Sequence, residues 1–207
     1  MKDMYDWRRL PVPHDYQANH FQREKQVFIN LKFTAMRRAQ GTIGVALVEC
    51  INHYIGKYRV RWDIQPETGE DADEQAVSYY ETEIILRHKP NINDIKQAVL
   101  EGVNRMIDEK IISEFVWNDM PVWLSSENQF NYKAAYDLSV QTGGQTLPVL
   151  FKFGDTENPI YHQFTTHEEL SDFYIKAMQF ISDTLSAGWV MKDSINWSEY
   201  EELLNKI

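Results

Sequence analysis

FVWNDMPVWLSSENQFNYKAAYDL, residues 115–138, decides how the chain is read. Two short apolar runs, Phe115-Val-Trp117 and Pro121-Val-Trp-Leu124, flank Asn118-Asp119-Met120. Asn and Asp tolerate left-handed backbone and favour turns, so the spacing predicts a short β-hairpin. Pro121 cannot donate to a ladder and keeps its strand off a central position. Ser126 followed by Gln129 fits a capping box, which starts a helix running to about 141. Tyr132, Ala135, Tyr136 and Ser139 share one face of that helix, and Gly143-Gly144 ends it. A hairpin feeding a capped helix is an α+β signature. Trp117 and Trp123 read as core packing of the hairpin on helices, because large aromatics dominate small cores.

The pattern continues on both sides. Ile92, Ile95, Val99, Val103 and Ile107 follow the helical period after Pro90-Asn91, which predicts a helix over 92–110 that Gly102 weakens slightly. Downstream, LPVLFKFG (147–154) and PIYHQF (159–164) read as strands joined by the turn DTEN. Thr166 with Glu169 is a second capping box. The helix it starts, 167–187, carries the stripe Leu170, Phe173, Tyr174, Ala177, Ile181 and Leu185, and Gly188 marks its predicted end. Trp197-Ser198 open a short terminal helix.

Upstream, YRVRWDI (58–64) and AVSYYETEIILRH (76–88) are rich in β-branched and aromatic residues and read as strands. The acidic stretch between them lacks the Asp-x-Asp-x-Asp-Gly spacing of a calcium loop and reads as a solvated hairpin tip. Ile43, Ala46, Leu47, Cys50, Ile51 and Tyr54 fit a helix over 43–55, with Thr42 as cap and Gly56 as stop. Cys50 on that stripe reads as a buried, inert thiol. Residues 16–39 fit a helix or, through Val27, Ile29, Leu31 and Phe33, a strand; length and the lack of Gly or Pro favour helix. Residues 1–15 form an extended arm, since Leu10-Pro-Val-Pro13 forbids helix. The expected architecture is α+β: helices packed on small antiparallel sheets, with a helical N-terminal region after an extended arm. The element pattern changes near Pro90. This divides residues 1–90 from an α+β domain at 91–207, unless both form one compact unit.

Composition sets the limits on function. The 207 residues are 43% apolar and 25% charged, ordinary for a soluble globular protein. No apolar run approaches the ~20 residues that cross a bilayer. The N-terminus lacks the apolar core of a secretory signal. One cysteine allows no intrachain disulfide and no cysteine-rich zinc site, and suits a reducing, intracellular setting. The net charge of −10 divides into +4 over residues 1–40 and −14 over 41–207. An acidic body argues against non-specific nucleic-acid binding. Tyr5, Trp7, Arg8, Arg9 and Leu10 are the candidate partner-binding residues. A Trp beside two arginines is typical of interface hot spots, and the arginines are drawn to an acidic surface such as a second copy's body. A disordered or folded-back tail is the alternative.

No catalytic constellation emerges. His162 and His167 could approach each other across a strand–helix junction, beside Glu168 and Glu169, but no third metal ligand is evident. The nucleophile elbow, the Walker loop and the dinucleotide fingerprint are all missing. No cofactor, no metal and no catalytic residue is therefore assigned.

Read as a unit, GVNRMIDEKIISEFVWNDMPVWLSSENQFNYKAAYDLSVQT, LPVLFKFG and YHQFTTHEELSDFYIKAMQFI resemble a domain of unknown function found in proteins of tailed bacteriophages and prophages. Genes for such proteins often lie beside tail and tail-fibre assembly genes. The match covers about residues 100–190 and carries no catalytic residue to transfer. NQFNYKAAYDL also resembles proteins of gut Bacteroidales. The resemblance implies a non-enzymatic structural, assembly or adaptor protein, with protein partners such as tail components or further copies of itself, in the host cytoplasm or the virion. A small-molecule-binding or hydrolytic domain using His162, His167 and nearby acids is one rival. A nucleic-acid-associated protein acting through the basic front end is another.

Overall fold

Strand pairing around Trp62 organises the N-terminal half of the fold. In the computed structural model, described over residues 36–68 and 74–206, β1 (Arg37–Thr42), β2 (Val48–Asn52), β3 (Lys57–Pro66) and β4 (Ala76–Ile85) form an antiparallel sheet in the order β1-β4-β3-β2. The described residues belong to one compact unit, Phe33–Ile207. β3 and β4 are the long central strands, and their alternation separates two faces. Tyr58, Val60 and Trp62 share one face with their partners Ile84, Thr82 and Tyr80. Arg59 and Arg61 share the other with Glu83 and Glu81.

The apolar face is covered by α1 (Ile92–Ser113) and α4 (Trp197–Leu204). Asn91 caps α1 reciprocally: its side chain accepts from the Asp94 amide, and Asp94 accepts from the Asn91 amide. Ile95, Ala98, Val99, Gly102, Val103 and Ile107 of α1 are buried, as the helical period predicts. Gly102 is required by packing, because a Cβ there would strike the indole of Trp62. Tyr200 of α4 donates its hydroxyl to the Arg61 carbonyl at 2.8 Å, pinning the terminal helix to β3.

Residues 116–193 build a second layer against α1. The hairpin β5 (Val116–Trp117) and β6 (Met120–Pro121) leads into α2 (Ser126–Thr142). The hairpin β7 (Val149–Gly154) and β8 (Pro159–Phe164) then leads into α3 (His167–Asp193), which packs on α1 and α2. The molecule is therefore α+β, with four helices and small antiparallel sheets among the described residues.

Several expectations need correction. Residues 43–55 are not a helix: β2 pairs Val48 with Val60 and Glu49 with Arg59. Thr42, Ile43, Val45, Val48 and Ile51 are β-branched, and pairing with β3 overrides a chance helical period. Gly56 closes the β2–β3 turn at φ 63° rather than ending a helix. Cys50 is exposed, not buried. Arg37–Thr42 is an edge strand, so residues 37–39 of the helix expected over 16–39 are not helical; residues 16–35 lie outside the described residues. Gly188 does not end α3, which runs to Asp193; it is buried in mid-helix where a Cβ would meet Ile107 of α1. A glycine in a helix can mark a close approach as readily as a stop.

Candidate functional site

Residues 115–142 form a hairpin, a cap and a helix with two unlike faces. Asn118 and Asp119 take positive φ, 48° and 61°, the backbone that a two-residue hairpin turn requires. Alternation along the hairpin then sends Phe115, Trp117, Val122 and Leu124 inward, while Val116 and Trp123 are exposed. The amide of Leu124 donates to the Ile112 carbonyl and ties the hairpin to the end of α1. The helix cap is Ser125, one residue before the predicted Ser126; its hydroxyl accepts from the Asn128 amide. Gly143, in left-handed conformation, ends the helix as expected.

Trp117 is core, 2% exposed, and sits in an aromatic cluster with Phe153, Phe164, Phe173 and His162. Its indole N–H donates to Asp172 at 2.9 Å. Lys176 and this indole hold the Asp172 carboxyl below its ordinary range. Trp123 does not share that role: at 53% exposed it stands outside the core, because an odd residue separation from Val122 puts it on the opposite side of the chain.

α2 buries Tyr132 and Ser139, with Tyr132 set edge-on to Phe151 and Phe173. Burial pushes the Tyr132 phenol up to about 12. The opposite face carries Phe130, Ala134 and Leu138 at i, i+4 and i+8, and Phe130 and Leu138 are 72% and 50% exposed. Lys133 and Asp137 form an ion pair at 2.6 Å along one edge of the stripe.

The two candidate histidines are held by separate partners. His162 Nε2 lies 2.9 Å from Glu169 Oε1, and its ring packs on Trp117 and Phe164. His167 Nδ1 lies 3.0 Å from Ser139 Oγ, with its ring stacked on Tyr136. Each pair joins a neighbouring element to α3, which is a packing role. Among the described residues no group of three His, Cys, Asp or Glu is arranged to hold a metal ion. No helix among them is long and apolar enough to cross a membrane. Tyr5, Trp7, Arg8, Arg9 and Leu10 lie outside the described residues.

Two further features carry charge or volume. On the polar face of the sheet, Glu81, 3% exposed, accepts from Arg37 and Arg61, and Arg61 also reaches Glu49 and the Ala46 carbonyl. Lys57 and Arg59 hold Glu83 below the usual carboxylate range. A groove of about 470 Å³ runs between α1, α3 and the sheet, with Arg38, Tyr80, Lys110 and Met191 among its lining. Asp63, at φ 51° in the β3 bulge, lies at its edge. Neither candidate histidine lines it.

No family model matches the chain, and no curated protein or solved structure is significantly similar to it.

Proposed function

We propose that this chain is a non-enzymatic protein-binding component of a tailed phage or prophage, acting as a structural, assembly or adaptor protein. The observation that carries the reading is the outer face of α2. Phe130 and Leu138 are exposed at helical spacing on a helix whose opposite face is already packed. An apolar face left on a folded helix, with the exposed Trp123 just before it, is the kind of surface that protein partners cover. The ionisable side chains near it serve packing: His162 with Glu169, His167 with Ser139, Asp172 with Trp117. The phage setting rests on the resemblance over residues 100–190.

Affinity capture of the tagged full chain from cells carrying an induced prophage tests this. Tail-region proteins should co-purify in stoichiometric amounts with the wild type, and at least fivefold less with Phe130→Glu. Capture that brings down no virion protein, with or without induction, overturns the phage assignment.

A further inference from the structure

We infer that the hollow beside the β3 bulge binds a neutral saccharide. No residue of α2 lines this hollow, so the site is independent of the protein-binding face proposed above. Trp62 pairs with Tyr80 and Gln65 with Ser78, so Asp63 and Ile64 together face one residue of β4. A bulge bends a strand and re-aims a side chain, and bulges gather beside functional sites. Asp63 is held at φ 51°, a conformation that glycine adopts more readily. Such strain persists only where the surrounding structure enforces it. The strained residue lines two adjoining hollows. One, of about 270 Å³, faces α4; the other is the groove of about 470 Å³ between α1, α3 and the sheet. Met191 of α3 lines both as well.

The smaller hollow sets the chemistry of the ligand. Trp62, 2% exposed, forms part of its wall, and the buried indole N–H finds no acceptor among the described residues. A buried donor left unpaired is costly and rare in a folded protein. The other polar lining is Asp63, Gln65, Ser194, Asn196 and Glu199, and among the described residues no Lys or Arg joins it. Asp63 accepts from Gln65 at 2.9 Å and Glu199 from Asn196 at 2.8 Å, each through one carboxylate oxygen, and neither forms an ion pair among the described residues. An anion would answer the indole but meet two uncompensated carboxylates. A cation would answer the carboxylates but has no lone pair for the indole. A hydroxyl does both, because it donates one hydrogen and accepts through two lone pairs. Leu47, Met191 and Ile195 complete the wall and suit the C–H faces of a sugar ring. Met191 is unbranched and flexible, so it yields as a hydroxyl moves up to the buried indole. The volume is at the small end for ligand pockets and suits one ring; a second ring extends past Asp63 into the larger groove beside Tyr80.

The test follows the Trp62 indole signal in proton–nitrogen correlation spectra of the purified full chain. Mannose, N-acetylglucosamine and maltose are each titrated to about 50 mM. At least one should move that signal saturably, with a dissociation constant in about the millimolar range expected for so small a ligand. Spermidine and inorganic phosphate at the same concentrations should leave it in place. Asp63→Gly suits the left-handed backbone, so its urea midpoint should equal or exceed that of wild type while saccharide affinity falls at least tenfold. Glu199 is exposed, so Glu199→Gln should fold as wild type does and bind at least threefold more weakly. Three results overturn the inference. In the first, no saccharide moves the signal. In the second, spermidine or phosphate moves it as far as the saccharides do. In the third, Asp63→Gly or Glu199→Gln, folded as wild type, binds saccharide as tightly as wild type, since the ligand then lies elsewhere.

Discussion

Gly102 sits at the one point where α1 passes directly over the ring of Trp62, and Gly188 where α3 passes over Ile107. In an exposed helix either glycine would be a weakness, and alanine would be better by up to ~1 kcal/mol. Here the sign reverses for Gly102. A Cβ at that position overlaps the six-membered ring of a Trp that is 2% exposed and has no room to turn aside. Overpacking of this kind costs about 1–3 kcal/mol. Gly102→Ala is therefore expected to lower the urea midpoint; a midpoint equal to or above wild type would mean that the helix and sheet separate at no cost. Glu81 presents the opposite kind of demand. It is buried and holds Arg61, itself 5% exposed. Removing Glu81 leaves the buried Arg61 guanidinium with only the half-exposed Glu49 as its carboxylate partner, at a cost of about 3 kcal/mol. Glu81→Ala should show that loss in chemical denaturation, and Glu49→Ala, whose carboxylate is more exposed, distinctly less.

Among the elements, α3 shows most directly what burial decides. Leu170, Phe173 and Ala177 are fully covered, and the stripe continues through Thr184 and Gly188 to the α1 contact. Phe173 touches Phe115, Trp117, Tyr132, Phe153 and Phe164. Truncating it opens a cavity among rigid rings that cannot collapse, so Phe173→Ala should cost about 3–5 kcal/mol in denaturant unfolding. Trp189 on the same helix is exposed, and Trp189→Ala should stay within about 0.5 kcal/mol of wild type. Equal effects at the two positions would contradict the packing described. This helix was legible in the sequence because period, cap and partner surface all agree. The hairpin at 115–124 was legible because Asn118-Asp119 is a local turn signal that needs no tertiary context. β1 and β2 were not. Their pairing partners lie across the hairpin of β3 and β4, and nothing within 37–52 encodes that. The accidental spacing of Ile43, Leu47 and Cys50 imitates a helical face. Trp123 was misread for a simpler reason: two tryptophans in one hairpin look alike in composition, but only alternation tells which one faces inward. The outer stripe of α2 was equally present in the sequence, hidden because the helix is apolar on two sides.

At the scale of the whole molecule, two sets of ionisable groups bound the pH range of stability from opposite sides. Glu83, held down by Lys57 and Arg59, keeps its proton less readily in the folded chain than in the unfolded one. The unfolded chain thus binds more protons in acid, and folding stability rises with pH there. That contribution is complete above the ordinary glutamate value of about 4.3 and is lost as pH falls through the lower folded value. Tyr132 acts at the other end. Burial raises its phenol to about 12, from about 10 in the unfolded chain, and burial also raises Tyr200, whose hydroxyl is committed to the Arg61 carbonyl. Both phenols must stay neutral while folded. Above about pH 10 the unfolded chain loses these protons and the folded chain does not, so stability is full below that pH and declines as pH rises through 12. Urea midpoints measured from pH 3 to 11.5 should therefore trace a plateau with two falling limbs. Tyr132→Phe keeps the ring against Phe151 and Phe173 but has no phenol to ionise, so its alkaline limb should begin later and fall less steeply than that of wild type. An alkaline limb that the substitution leaves unchanged would place the titrating groups elsewhere and would mean that the hydroxyl of Tyr132 is free to ionise in the folded chain.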